Sequence, residues 1–145
     1  MIHPTRAACL SVVLLLLSCT GDLGSTLRRH TYPPDFKYLT DEQVRSTMGQ
    51  MAQLLSRLQG AMETEEDVDE SARREIVALL RQLEDRAREL GPGGWPSNHP
   101  EIRANVGRLR DDLQRARVAA SSDPPNYYWA GAVSATCTIC HASRI

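Results

Sequence analysis

Three stretches of this chain repeat apolar residues at intervals of three and four, and nowhere do β-branched residues alternate with polar ones. The first stretch holds Val44, Met48, Met51, Leu54, Leu55 and Leu58, one face of a helix. It is expected to start near Thr40. Thr40-x-x-Gln43 reads as a capping box, and Asp41 and Glu42 suit the positive first turn. Gly60 is the expected C-cap. The acidic run Glu63 to Asp69 then connects to a second helix over about Val68 to Leu90. Its stripe is Val68, Ala72, Ile76, Leu80, Leu83, Ala87 and Leu90, with arginines and glutamates on faces expected to be solvated. Gly91-Pro92-Gly93-Gly94 stops it, and Trp95 follows in a loop.

The third helix is expected to open at Ser97-Asn98. Pro100 suits a first turn, and Glu101 lies three residues after Asn98, as in a capping box. Ile102, Val106, Leu109, Leu113, Ala116 and Ala120 form its stripe. A turn with Pro124-Pro125 leads to a fourth helix, about Asn126 to Ala142. Ala130, Gly131, Ala132, Ser134 and Ala135 make that helix small-sided, so that a bulky ring can lie close to its backbone. Tyr127, Tyr128 and Trp129 are candidates either to line a pocket or to anchor the start of this helix. The pattern is that of an all-α domain.

Length and composition narrow the class. At 145 residues the chain suits one domain, and aromatics make up 5% of it. The net charge of −1 gives no reason to expect a nucleic-acid partner. Lys37 is the single lysine, a bias of composition rather than a functional signal.

The N-terminus reads as an export signal over residues 1–18. Arg6 supplies a short positive region, and Ala7 to Leu17 is apolar but short for a membrane span. Leu16-Leu17-Ser18-Cys19 resembles a bacterial lipobox, in which the cysteine is acylated and becomes the new N-terminus. Leu17 departs from the usual small residue there, and ordinary cleavage nearby or an uncleaved anchor are the alternatives. Cys9 lies within the signal. Acylation would tether the chain to the membrane without spanning it. Residues 19–37, with Gly21, Gly24, Ser25, Pro33 and Pro34, read as that tether. His30 there is expected to be an exposed tether residue. The helical domain is then 38–145.

The chemistry concentrates in Cys137-Thr138-Ile139-Cys140-His141, a C-x-x-C-H attachment pattern for c-type haem. Two thiols must add to the two vinyl groups of one haem edge, and a helical turn presents both on one side. The adjacent His141 is then placed to bind iron. Other chemistries use parts of this pattern. A thioredoxin-like pair would open a helix after a β-strand, and no β-patterned run precedes it. Zinc wants four ligands, and His99 is the one obvious addition to Cys137, Cys140 and His141. His99 otherwise reads as a residue at the helix start that bonds to backbone. A plain disulfide explains neither the histidine nor the spacing.

An exported chain of four helices with C-x-x-C-H on the last resembles the class II cytochromes c, the cytochrome c′ family, over about Tyr38 to Arg144. The C-terminal placement of the pentad carries most of the resemblance. It implies an antiparallel four-helix bundle with haem c attached to the C-terminal helix and His141 as the proximal iron ligand. It also implies an arginine in the first helix near the haem propionates, for which Arg45 is the candidate. Met48 or Met51 becomes the expected sixth ligand of a low-spin member, although a methionine on an apolar stripe is ordinarily core packing. The segment Ala142-Ser143-Arg144-Ile145 departs from the family, lacking the aromatic residue that commonly follows the histidine.

The function expected from this resemblance is single-electron transfer on the periplasmic side of a bacterial membrane, with redox proteins as partners. Family members often dimerise through helix faces, so a homodimer is a further expectation, although the stripes show no second apolar face. Two other functions compete with it. A five-coordinate haem would bind nitric oxide or carbon monoxide, and a tethered bundle would serve as an assembly partner with no redox duty. Enzymatic turnover is not expected: no Ser/His/Asp set, carboxylate pair or phosphate loop accompanies the pentad.

Overall fold

The capping box at Thr40 forms as its spacing dictates. The Thr40 amide donates to Gln43 Oε1 at 2.9 Å, and the Gln43 amide donates to Thr40 Oγ1 at 3.1 Å. Helix α1, Asp41–Glu63, begins there. This is a computed structural model, and it describes residues 36–63, 69–91 and 96–142. These belong to a compact unit, Asp35–Ile145; the preceding unit, Met1–Pro34, lies outside the described residues. So do the expected signal, the lipobox cysteine Cys19, Cys9, His30, Val68, Trp95 and Arg144.

Three more helices follow: α2, Glu70–Glu89; α3, Pro100–Ser121; and α4, Tyr128–Ala142. Among the described residues there are four helices and no strand beyond an isolated bridge between Lys37 and Ser97. No helix among the described residues is long and apolar enough to cross a membrane.

Several helix boundaries differ from those expected. Gly60 does not end α1, which runs on to Glu63. An interior glycine costs only about 1 kcal/mol, and Ala61 and Met62 pack on the core just beyond it. Asp69 caps α2, accepting from the Ala72 amide at 2.7 Å. Its other end closes at Gly91, where φ is 101°, a conformation that needs glycine. There the Gly91 amide donates to the Arg88 carbonyl at 3.0 Å.

Asn98 does not cap α3. His99 holds the cap position, without a side-chain cap bond. Asn98 instead clasps the backbone of Leu39: its Oδ1 accepts from the Leu39 amide at 2.9 Å, and its Nδ2 donates to the Leu39 carbonyl at 2.7 Å. His99 Nε2 lies 2.9 Å from the same carbonyl, to which the Nε2–H tautomer donates. That is the backbone-bonding role expected of His99. The α4 helix starts two residues after Asn126, whose Oδ1 accepts from the Tyr128 amide at 3.0 Å.

The stripes meet in one core. Ile76, Leu79, Leu80 and Leu83 of α2, Leu58 of α1, Leu113 of α3 and Val133 of α4 are its largest fully buried side chains. The α2 helix packs against both α1 and α3, α4 packs against α3, and α4 makes only slight contact with α1. Polar pairs mark each seam. Thr47 Oγ1 donates to Glu89 Oε2 at 3.5 Å, Arg86 donates to Gln50 at 3.2 Å, and Arg57 and Glu75 pair at 3.5 Å along α1 and α2. Arg73 on α2 donates to the carbonyls of Ala120, Ser121 and Ser122, satisfying the end of α3.

One acid departs from the expected solvated face. Glu84 is 8% exposed, and Arg117 Nε of α3 donates to its Oε1 at 2.7 Å. Arg88 lies 3.5 Å from the other carboxylate oxygen. A carboxylate withdrawn from water needs these partners, because desolvation otherwise exceeds what packing returns. Arg117→Met is therefore expected to destabilise the fold by about 3 kcal/mol, the low end for a broken buried pair because Arg88 remains. Chemical denaturation of the two proteins measures this, and Glu84→Gln in the Arg117→Met background should recover part of the loss.

Candidate functional site

The slight contact between α4 and α1 leaves a space bounded by α1, α3 and α4. A cavity of about 130 Å³ lies there. Met48, Met51, Ala52 and Leu55 line it from α1, and Ile102, Asn105, Val106 and Leu109 from α3. Thr136, Cys137, Cys140 and His141 line it from α4, and Leu90, just after α2, also borders it. Its surface is almost wholly apolar.

The local cause lies in the inward face of α4. Ala130 and Val133 near its start are buried in the core. One and two turns later the same face presents Thr136, Cys137 and Cys140. These are smaller than the leucines that fill the other helices, and the cavity lies between them and α1. The Thr136 hydroxyl fastens α4 to α3 by donating to Asp112 Oδ2 at 2.7 Å. Arg115 and Arg108 lie 3.4 and 3.9 Å from the Asp112 carboxylate and neutralise it. This polar knot sits beside the first cysteine and fixes the rotation of the helix that carries it.

Residues separated by three on a helix are neighbours, with about 5–6 Å between their Cβ atoms. Cys137 and Cys140 therefore share one face, and neither is in a disulfide. Both are half-buried, whereas His141 in the last turn is exposed on one side and borders the cavity on another. Burial pushes the Cys137 thiol above the ordinary thiol range, with nearby Cys140 adding to the rise. Across from the thiols, Met51 is buried, 4% exposed, and Met48 is half-buried one turn away.

The five sulfur and imidazole side chains singled out in the sequence thus border one cavity, and Arg45 does not join them. Arg45 is exposed on α1 and is absent from the lining. Tyr127, Tyr128 and Trp129 are likewise absent from it. Trp129 lies under the Arg115 guanidinium at 4.8 Å, with Tyr128 edge-on to it at 5.2 Å. Of the small residues on α4, Ala130 fills core while Gly131 and Ala135 face outward, so none forms a platform under the cavity. Asn105 and Thr136, the polar lining residues besides the thiols and His141, were not apparent from the sequence. Asn105 occupies an ordinary polar position between Ile102 and Val106, and only packing shows that it faces inward.

The arrangement places two thiols on one wall of an apolar cavity and two thioethers on another. Among the described residues no three His, Cys, Asp or Glu side chains are grouped to hold a metal ion. His99, the extra ligand considered for zinc, is occupied with the Leu39 carbonyl.

The raised Cys137 pKa has a kinetic consequence, since the thiolate is the nucleophile. Iodoacetamide should modify Cys137 several-fold more slowly in the folded chain than in urea at pH 8–9, with the midpoint of its rate–pH profile moved upward. Peptide mapping of the alkylated protein checks this. The sign for stability follows: the folded state holds this proton more tightly, so its contribution is present below the unfolded-state pKa and is lost as pH rises towards the folded-state value. No protein-family model, curated protein or solved structure matches this chain.

Proposed function

We propose that this protein is a c-type haem protein that carries single electrons on the periplasmic side of a bacterial membrane, its four helices forming an antiparallel bundle. The observation that carries the proposal is the shared cavity: Cys137, Cys140 and His141 on one wall face Met48 and Met51 on the other. The order of the α1–α2 pairs supports the antiparallel arrangement, because positions rising along α1 from Thr47 to Arg57 meet positions falling along α2 from Glu89 to Glu75. Tethering through Cys19 and the redox partners belong to the same proposal.

The residues fit the group on chemical grounds. Both thiols are on one helical face, as attachment to one haem edge requires, and the cavity walls are hydrocarbon from α1 and α3. His141 of α4 would supply an imidazole nitrogen to the iron, and Met51 or Met48 of α1 would supply a thioether. When bound, haem would supply a one-electron couple between ferrous and ferric iron. Histidine–methionine ligation raises its potential. The buried Met51 and the Thr136–Asp112 bond would hold the two walls fixed, so that little rearranges when the charge changes. With Met48 and Met51 available as iron ligands, electron transfer would be favoured over binding of nitric oxide or carbon monoxide.

Production in a host with c-haem maturation tests this. Absorption spectra of the oxidised, reduced, and reduced and carbon monoxide-treated protein are expected to show covalent haem with sharp low-spin bands that carbon monoxide barely alters. Replacing Met51 or Met48 by Ala should open the iron to carbon monoxide and name the ligand. Broad high-spin spectra with ready carbon monoxide binding would favour the gas-binding function. Absence of covalent haem would overturn the proposal.

A further inference from the structure

The same cavity holds an unusual concentration of soft donors before any haem is attached. Two thiols and two thioethers border it, with an imidazole at its rim. Thiolate and thioether ligands select monovalent copper, whereas carboxylates and carbonyls suit harder ions. No carboxylate lines this cavity; Asp112 is held outside it by Thr136, Arg108 and Arg115.

We propose that the haem-free chain binds one copper(I) ion in this cavity, through the sulfurs of Cys137 and Cys140 completed by the thioethers of Met51 and Met48. Adjacent positions on one helical turn let both cysteines bond a single ion without unfolding α4. The thiols release their protons to solvent as the two sulfur–copper bonds form, and no change of oxidation state is involved. Two thiolates on one monovalent ion leave a single negative charge, located where half-buried Cys140 and exposed His141 meet solvent. The methionines add bonds from the interior without adding charge, which an apolar wall requires. Copper and covalent haem are mutually exclusive occupants, because both consume the same two sulfurs. The site uses only this chain's own donors and does not rest on the haem proposal.

The test uses the full-length chain, made without haem maturation, with Cys9 and Cys19 replaced by serine so that the pentad supplies all its thiols. Anaerobic copper(I) titration against a chromogenic chelator is expected to give one ion per chain, protection of both cysteines from alkylation, and a raised melting temperature. Cys137→Ser with Cys140→Ser should abolish binding. Met48→Leu with Met51→Leu should weaken it about tenfold or more, whereas Met62→Leu, on the same helix but outside the cavity lining, should not. Leucine is close to methionine in volume, so the fold is expected to persist. If Met51→Leu lowers the melting temperature of the metal-free chain, the half-buried Met48→Leu alone carries the comparison. Unchanged affinity in the methionine variants would reduce the site to a surface dithiol and overturn the proposal. So would tighter binding of zinc than of copper(I), or no copper binding at all. Each outcome is independent of whether matured protein carries haem.

Discussion

Ile76, Leu79, Leu80 and Leu83 on α2 are wholly withdrawn from water, and the positions of the other helices follow from that row. Burying each such side chain is worth about 2 kcal/mol, so four of them rival the net stability of a small domain, about 5–15 kcal/mol. A helix buried this deeply must be covered from two sides. The stripes of α1 and α3 provide the cover, and α4 then has α3 as its principal support. Its slight contact with α1 is where close packing ends and the cavity begins.

That cavity is costly to an all-hydrocarbon core, because unfilled volume forfeits dispersion contacts. The proposed haem, or the proposed copper(I) ion, would restore those contacts. The polar bonds around it reinforce one geometry. The Thr136–Asp112 bond sets the rotation of α4, and the Asn98 clasp on Leu39 ties the chain before α1 to the start of α3. Thr136 immediately precedes the pentad, and the Asn98 clasp lies at the start of α3. At the other end, Arg73 closes the α3 terminus. The thiols are therefore presented by a braced helix rather than by a loop.

Where the sequence misled, a local pattern competed with a distant partner. Asn98 and Glu101 have the spacing of a capping box, yet Leu39, 59 residues away in sequence, offers both a donor and an acceptor to the same amide side chain. Glu84 lies in a run of arginines and acids that reads as solvated, but it faces Arg117 across a seam. Gly60 carries the composition of a stop, while the apolar Ala61 and Met62 after it gain from continuing the helix. Each outcome is a tertiary contact outweighing a preference of about 1 kcal/mol.

The sequence by itself determined what depends on near neighbours. The three-four spacing placed Leu80, Leu83, Leu113 and Val106 inside, Thr40 and Gln43 formed their reciprocal cap, and three residues of separation put Cys137 and Cys140 on one face of α4. These are consequences of helix geometry alone. Only the tertiary structure decided that Met48 and Met51 stand across one cavity from those cysteines, that Asn105 turns inward, and that Arg45 and Trp129 do not join them. Such relations depend on how far each helix rotates about its axis when its stripe is buried. That rotation is set by the volumes of side chains on neighbouring helices, which no single stretch of sequence contains.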